Sequence, residues 1–244
     1  MKFAASLVAI VAMASSAAAH MALLYPVPRG GYDTPEYNGR IHTWIGYKDS
    51  TWTQKYPCGG YKPNTNKKFI TNLKAGQLVN VRFASSTMSA AQRKTQPKVN
   101  KGKEFSQARH GGGTCEFSLS YDGGKTFGLI GKYTKTCPDA YYTWPVKIPK
   151  NVASCTSSKK YGGKKSQCLF VWSWTANILP QYYQNCADVN IAGSGSKKPK
   201  GKIQVVDFKG HKTGVTEKGD GDKHTHGPGP QKSEITYNMK HNFM

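Results

Sequence analysis

Acidic residues are scarce in this 244-residue chain: 13 Asp and Glu stand against 35 Lys and Arg, a formal net charge of +22. Long apolar runs are scarce too. The nearest approach, Phe3 to Met13, falls well short of the roughly 20 apolar residues a membrane-spanning helix needs, which argues against a membrane protein. No C-x-x-C pair occurs, which argues against a zinc or dithiol redox centre. No Asn-x-Ser/Thr sequence offers a site for N-linked sugar. Helical periodicity is missing over any long stretch, which argues against a helical bundle, and no internal repeat is visible.

What is present begins at the N-terminus. Lys2, the apolar stretch Phe3 to Met13 and the small residues Ala17-Ala18-Ala19 together read as a secretory signal peptide, residues 1–19. Cleavage after Ala19 predicts a secreted, extracellular chain whose first residue is His20. The six cysteines all follow that point and are even in number, as expected for three disulfides in an oxidising compartment, although the count alone permits 15 pairings. Residues 20–196 hold 24 basic and 8 acidic residues, so the positive excess belongs to the folded body. Such a surface attracts polyanions. For an exported protein the expected polyanion is an acidic polysaccharide, with no nucleic acid and no membrane as partner.

Short strand-like segments alternate with Gly-, Pro- and Asn-rich connections. In "QLVNVRFA" Val79, Val81 and Phe83 share one face, and in "CEFSLSYDGGKTF" Cys115, Phe117, Leu119 and Tyr121 do the same before an Asp-Gly-Gly turn. "YTWPVKIP", "CLFVWSWTA" and "NCADVNIAG" continue the pattern. The expected fold is all-β, a disulfide-stapled antiparallel β-sandwich over residues 20–192. Residues 26–76 read as a long decorated loop and 86–108 as a second, basic one. From 193 to 244 the chain reads as a flexible tail rich in Gly, Pro and Lys.

A mature N-terminal histidine offers two nitrogens, its imidazole and an α-amine whose pKa of about 8 lets a metal displace the proton at modest cost. One more imidazole completes three nitrogen donors, a set that suits copper. Within residues 21–196 only His42 and His110 can supply it. His110 is favoured, since "ARHGGGTCEF" sets it just ahead of a strand with three glycines that leave the ring uncrowded; His42, in "GRIHTWIGYK", has no such frame. In "PQYYQNCADV" Gln181 and Tyr183 are two apart on an extended segment and so face one side, an axial candidate with a hydrogen-bonding neighbour.

Taken together, "AAAHM", "HGGGTCEFSLSYDGG", "CLFVWSW" and "QYYQNCADV" resemble the lytic polysaccharide monooxygenases over roughly residues 20–192. "RGGYDTPEYNGRIHTWIGYK" and "NILPQYYQNCADV" are most similar to the pectin-active auxiliary activity family seventeen. The resemblance implies an immunoglobulin- or fibronectin III-like sandwich and one copper ion held by His20 and His110. It also implies Tyr183 at the axial position, with Gln181 orienting the oxygen species. Disulfides Cys58–Cys186, Cys115–Cys137 and Cys155–Cys168 are implied as well. The activity implied is oxidative cleavage of a glycosidic chain at C1 or C4, using an external electron donor and hydrogen peroxide or dioxygen. Charge and likeness together point to pectate, with Lys48, Lys55, Lys62, Lys67 and Lys68 as candidate contacts and Trp44, Tyr47 and Trp52 as candidate platforms. A monomer is expected. Two alternatives stand beside this reading: the same chemistry on chitin or cellulose, and a secreted copper- or wall-binding protein without catalysis.

Overall fold

Alternation in the sequence is realised as eight strands in a computed structural model that describes residues 20–45, 54–64, 66–157, 168–177, 181–205 and 225–230. The expected signal peptide, Tyr47, Lys48 and Trp52 lie outside the described residues. The strands are β1 (Met21–Tyr25), β2 (Thr71–Lys74), β3 (Leu78–Ser85), β4 (Gly113–Ser120), β5 (Gly128–Tyr133), β6 (Trp144–Lys147), β7 (Leu169–Ala176) and β8 (Tyr182–Ala192). They form two sheets, ordered β1-β3-β6 and β2-β8-β7-β4-β5. The fold is the expected β-sandwich, with one departure from an antiparallel plan: β2 runs parallel to β8.

The core is built from the predicted faces. Val79, Val81 and Phe83 of β3 are buried, and the intervening Asn80 is exposed. Opposite them lie Cys115, Phe117 and Leu119 of β4 with Phe170, Trp172 and Trp174 of β7. Packing between the aromatic rings is close, with the Phe83 and Trp172 centroids 4.9 Å apart. The second face of the five-stranded sheet is covered too. Every residue of β4 and β7 is buried, polar ones included, because the long loop and parts of the C-terminal segment lie over them.

Among its described residues the loop predicted over 26–76 is largely that, with β2 near its end and a 3₁₀ turn, Lys67–Phe69. It is fastened by the disulfide Cys58–Cys186 and by a buried ion pair, in which Arg29 Nη2 stands 2.7 Å from Asp188 Oδ1. Cys115–Cys137 and Cys155–Cys168 are the other two disulfides. Within the 86–108 loop the structure adds a short helix, Ala90–Lys94. Ser89 caps it by accepting from Gln92 N, while the Gln92 side chain accepts from Ser89 N, a reciprocal capping pair.

Described parts of the segment expected as a flexible tail from residue 193 make contacts with the sandwich. Gly195 and Lys197 bridge to Ala153 and Val152, Gly201 O accepts from Leu129 N, and Gln204 N donates to the buried Glu116 carboxylate. Residues 225–230 are held as well. Backbone groups of these segments satisfy polar groups of the sandwich.

Candidate metal centre

One end of the sandwich gathers the first residue of the described chain and the starts of β1, β4 and β8. His20 stands just ahead of β1. Its backbone nitrogen donates to Ser86 Oγ at 3.1 Å and its carbonyl accepts from Ser86 N at 3.0 Å, so β3 sets its position. The His20 ring lies 5.7 Å from the ring of His110 and 5.9 Å from that of Tyr183, centroid to centroid. Trp44 flanks it at 5.4 Å, and His42 stacks on it at 6.1 Å with planes 14° apart. The residue is 6 % exposed.

His110 is placed by an unusual backbone path. Its own φ is 48°, in the left-handed region, and the glycines after it continue at positive φ. The chain there passes so close to its neighbours that a side chain would not fit: a Cβ on Gly112 would lie 1.9 Å from Lys135 O, and one on Gly113 2.2 Å from Thr175 O. The glycines thus set the close approach that aims His110, beyond leaving its ring uncrowded. Before it, Arg109 is fully buried, donating to Thr136 O at 2.6 Å and Pro138 O at 3.1 Å, with Asp139 Oδ2 3.3 Å away.

Tyr183 completes the group. Its hydroxyl donates to Gln181 Oε1 at 2.5 Å and lies 3.4 Å from His110 Nε2. The shared facing of residues 181 and 183 is therefore realised. Burial pushes the Tyr183 phenol well above its ordinary pKa, so it stays protonated at any physiological pH. Trp174 stacks on Tyr183 at 4.5 Å and on His110 at 5.8 Å, and its Nε1 donates to Gly112 O. One indole thereby orders both rings.

Of the residues singled out in the sequence, His20, His110, Tyr183 and Gln181 meet here, with Trp44 beside His20. Lys55, Lys62, Lys67 and Lys68 are exposed in the long loop. His42, the less favoured histidine, is also at the site, against His20. Burial, and then the charge of His20, pushes its pKa down to about 4. Ser86 and Trp174 were not foreseen. Trp174 carried one usable signal, its place on the same strand face as the core Trp172, but its neighbour on β8 depends on register. Among the described residues no group of three or more His, Cys, Asp and Glu side chains gathers to hold a metal. The candidate donors are of another kind: two imidazoles, a phenol and the backbone nitrogen of His20.

Comparison with known proteins decides the family. The chain is 33% identical over 183 residues to AA11 family lytic polysaccharide monooxygenase A of Aspergillus fumigatus, a match spanning 74% of this chain and 68% of that protein. This chain is a lytic polysaccharide monooxygenase. No family model matches it. Among solved structures, the extended catalytic domain of H. jecorina LPMO9A, also called EG4, is similar at a TM-score of 0.35 and 13% identity, over 70% of this chain and 72% of that one. As a member of the lytic polysaccharide monooxygenases the protein is a copper-dependent oxidoreductase, and its three disulfides fit an extracellular monooxygenase.

Proposed function

We propose that this monooxygenase cleaves the acidic backbone of pectin, as the auxiliary activity family seventeen likeness implies, with one copper ion held at the end of the sandwich described above. The observation that carries the metal assignment is the meeting of His20 and His110 over a buried phenol. Their rings stand 5.7 Å apart, centroid to centroid, so both imidazoles would be available to hold one ion between them. Copper, when bound, supplies the one-electron chemistry of oxidative cleavage. Removal of the signal peptide would turn the His20 backbone nitrogen into an amine, giving a third nitrogen donor with no further side chain.

The protein's own groups have separable tasks. His20 and His110 hold the metal, and Trp174 fixes the planes of His110 and Tyr183. Tyr183, kept neutral by burial, would offer the metal a phenol oxygen in place of an anionic one. Gln181 accepts the phenol's hydrogen bond through Oε1, which would leave its amide N–H groups to orient the oxygen co-substrate. Trp44, beside His20, is the candidate platform for the sugar chain.

The charge of the body carries the substrate reading: 24 basic against 8 acidic residues over 20–196 gain little on neutral cellulose or chitin but concentrate the enzyme on a polycarboxylate. Secreted protein should begin at His20, bind one copper ion, and with a reductant release oxidised oligogalacturonides from pectate, less efficiently as salt rises. Oxidised products from chitin or cellulose alone would overturn the substrate reading. Undiminished copper affinity with Ala19 still attached would overturn the site.

A further inference from the structure

The chemistry above uses nothing from the far end of the chain, yet residues 225–230 lie against the segment that carries His110. Gln107, fully buried, donates through Nε2 to Thr225 O. Gly227 N donates to Asp139 Oδ2 at 2.7 Å, Tyr142 OH to Gly227 O at 2.9 Å, and Thr136 Oγ1 to Gly229 O at 3.2 Å. His226 meets the Tyr141 ring edge-on at 5.9 Å, with Glu104 3.9 Å from its Nε2.

These contacts converge on one buried carboxylate. Asp139 is fully buried and accepts from Gln107 Nε2 at 2.8 Å and Tyr141 N at 2.9 Å, beside Arg109 Nε at 3.3 Å. Gly227 N is its remaining partner. Gln107 and Arg109 are the residues three and one ahead of His110, so Asp139 grips the approach to the histidine from both. A buried carboxylate that loses a donor must find another or move. Movement of Asp139 would carry Gln107 and Arg109 with it, and therefore His110.

We infer that residues 225–230 form a strap that positions His110: the metal site at the start of the chain is completed from its far end, with Asp139 and Gly227 as positioning residues. The inference rests on His110 being a copper ligand.

Gly229 offers a way to lift the strap without altering the sandwich. Its φ is +80°, and a Cβ there would stand 2.9 Å from Tyr142 Cδ1, so Gly229→Val in the full mature chain should dislodge it. Gly227→Pro removes the N–H that Asp139 accepts. Each variant should bind Cu(II) about tenfold more weakly, the scale seen when a partner behind a metal ligand is lost, and replace one Cu(II) EPR signal by overlapping species. Affinity within twofold of wild type together with a superimposable spectrum would overturn the strap. Hydrogen exchange of the unaltered, copper-free chain covers the case in which neither variant folds. Amides of 107–113 and Gly227 should exchange in one common opening, and independent exchange overturns the inference. Failure of wild type to bind copper would instead strike the site assignment, with the exchange result still deciding the strap.

Discussion

Along β8 the residues Tyr183, Ala187 and Val189 turn into the sandwich, whereas Gln184, Cys186 and Asp188 turn outward beneath the long loop. The inner row packs by shape and area, as any core does. The outer row works by bonds that each specify one partner. Gln184 Oε1 accepts from Cys58 N at 2.9 Å, Cys186 is joined to Cys58, and Asp188 accepts from Arg29 and from Asn64 N. Two further links bring the loop to the site: Ile45 N donates to Tyr182 O, and Asn185 Nδ2 to Ile41 O. Those links hold the neighbourhood of His42 and Trp44 against His20. The inner face thus supplies the core and, at its start, Tyr183, while the outer face fastens the loop that carries His42 and Trp44.

Substitutions that separate the two rows should break them differently. Phe117→Ala on the inner side should cost about 3–5 kcal/mol in denaturant unfolding, with exchange protection falling throughout both sheets. Arg29→Met on the outer side leaves the Asp188 carboxylate buried with Asn64 N but no cation. It should cost about 3 kcal/mol, with exchange rising over residues 29–64 while β4 and β7 stay protected. A uniform rise would mean that the two faces do not act separately. Tyr183→Phe keeps the ring stack and removes one hydrogen bond. The expected loss is about 1 kcal/mol, with an altered Cu(II) EPR signal; an unaltered signal would remove Tyr183 from the axial position.

The smallest effect concerns the loop's own histidine. The folded protein holds His42 at about 4 against an ordinary 6.5, so the unfolded chain takes up a proton first as pH falls. Copper-free protein gains this stabilisation fully above pH 6.5 and loses it between 6.5 and about 4. His42→Gln should flatten that part of the melting-temperature profile, and an unchanged slope would count against its burial beside His20.

The inner row was readable in advance because period-two alternation is local: Val79, Val81 and Phe83 announce their face within five residues. His20 was singled out by its place after the expected cleavage point, His110 by the glycines ahead of a strand, and Gln181-x-Tyr183 by its two-residue spacing, all of them local signals. In the outer row only Cys186 was readable, through the disulfide to Cys58 that the resemblance implied. Glu116, Ser118 and Asp188 are buried because segments far away in sequence, such as Arg29 and Gln204, come to cover them, and no local spacing encodes that. His42 was set behind His110 for the same reason. Its place depends on bonds from β8 to Ile41 and Ile45, which no spacing within "GRIHTWIGYK" encodes.

The sulfur atoms have a part in how the enzyme tolerates its surroundings. A monooxygenase fed by an external reductant works among molecules that can also attack disulfides, and thiol exchange requires the attacking sulfur to reach its target. Cys58 and Cys186 are only 4 % and 1 % exposed, and Cys115 and Cys137 not at all. A thiol donor in the medium would therefore find these two crosslinks shut, so the catalyst can be refuelled without being unlaced.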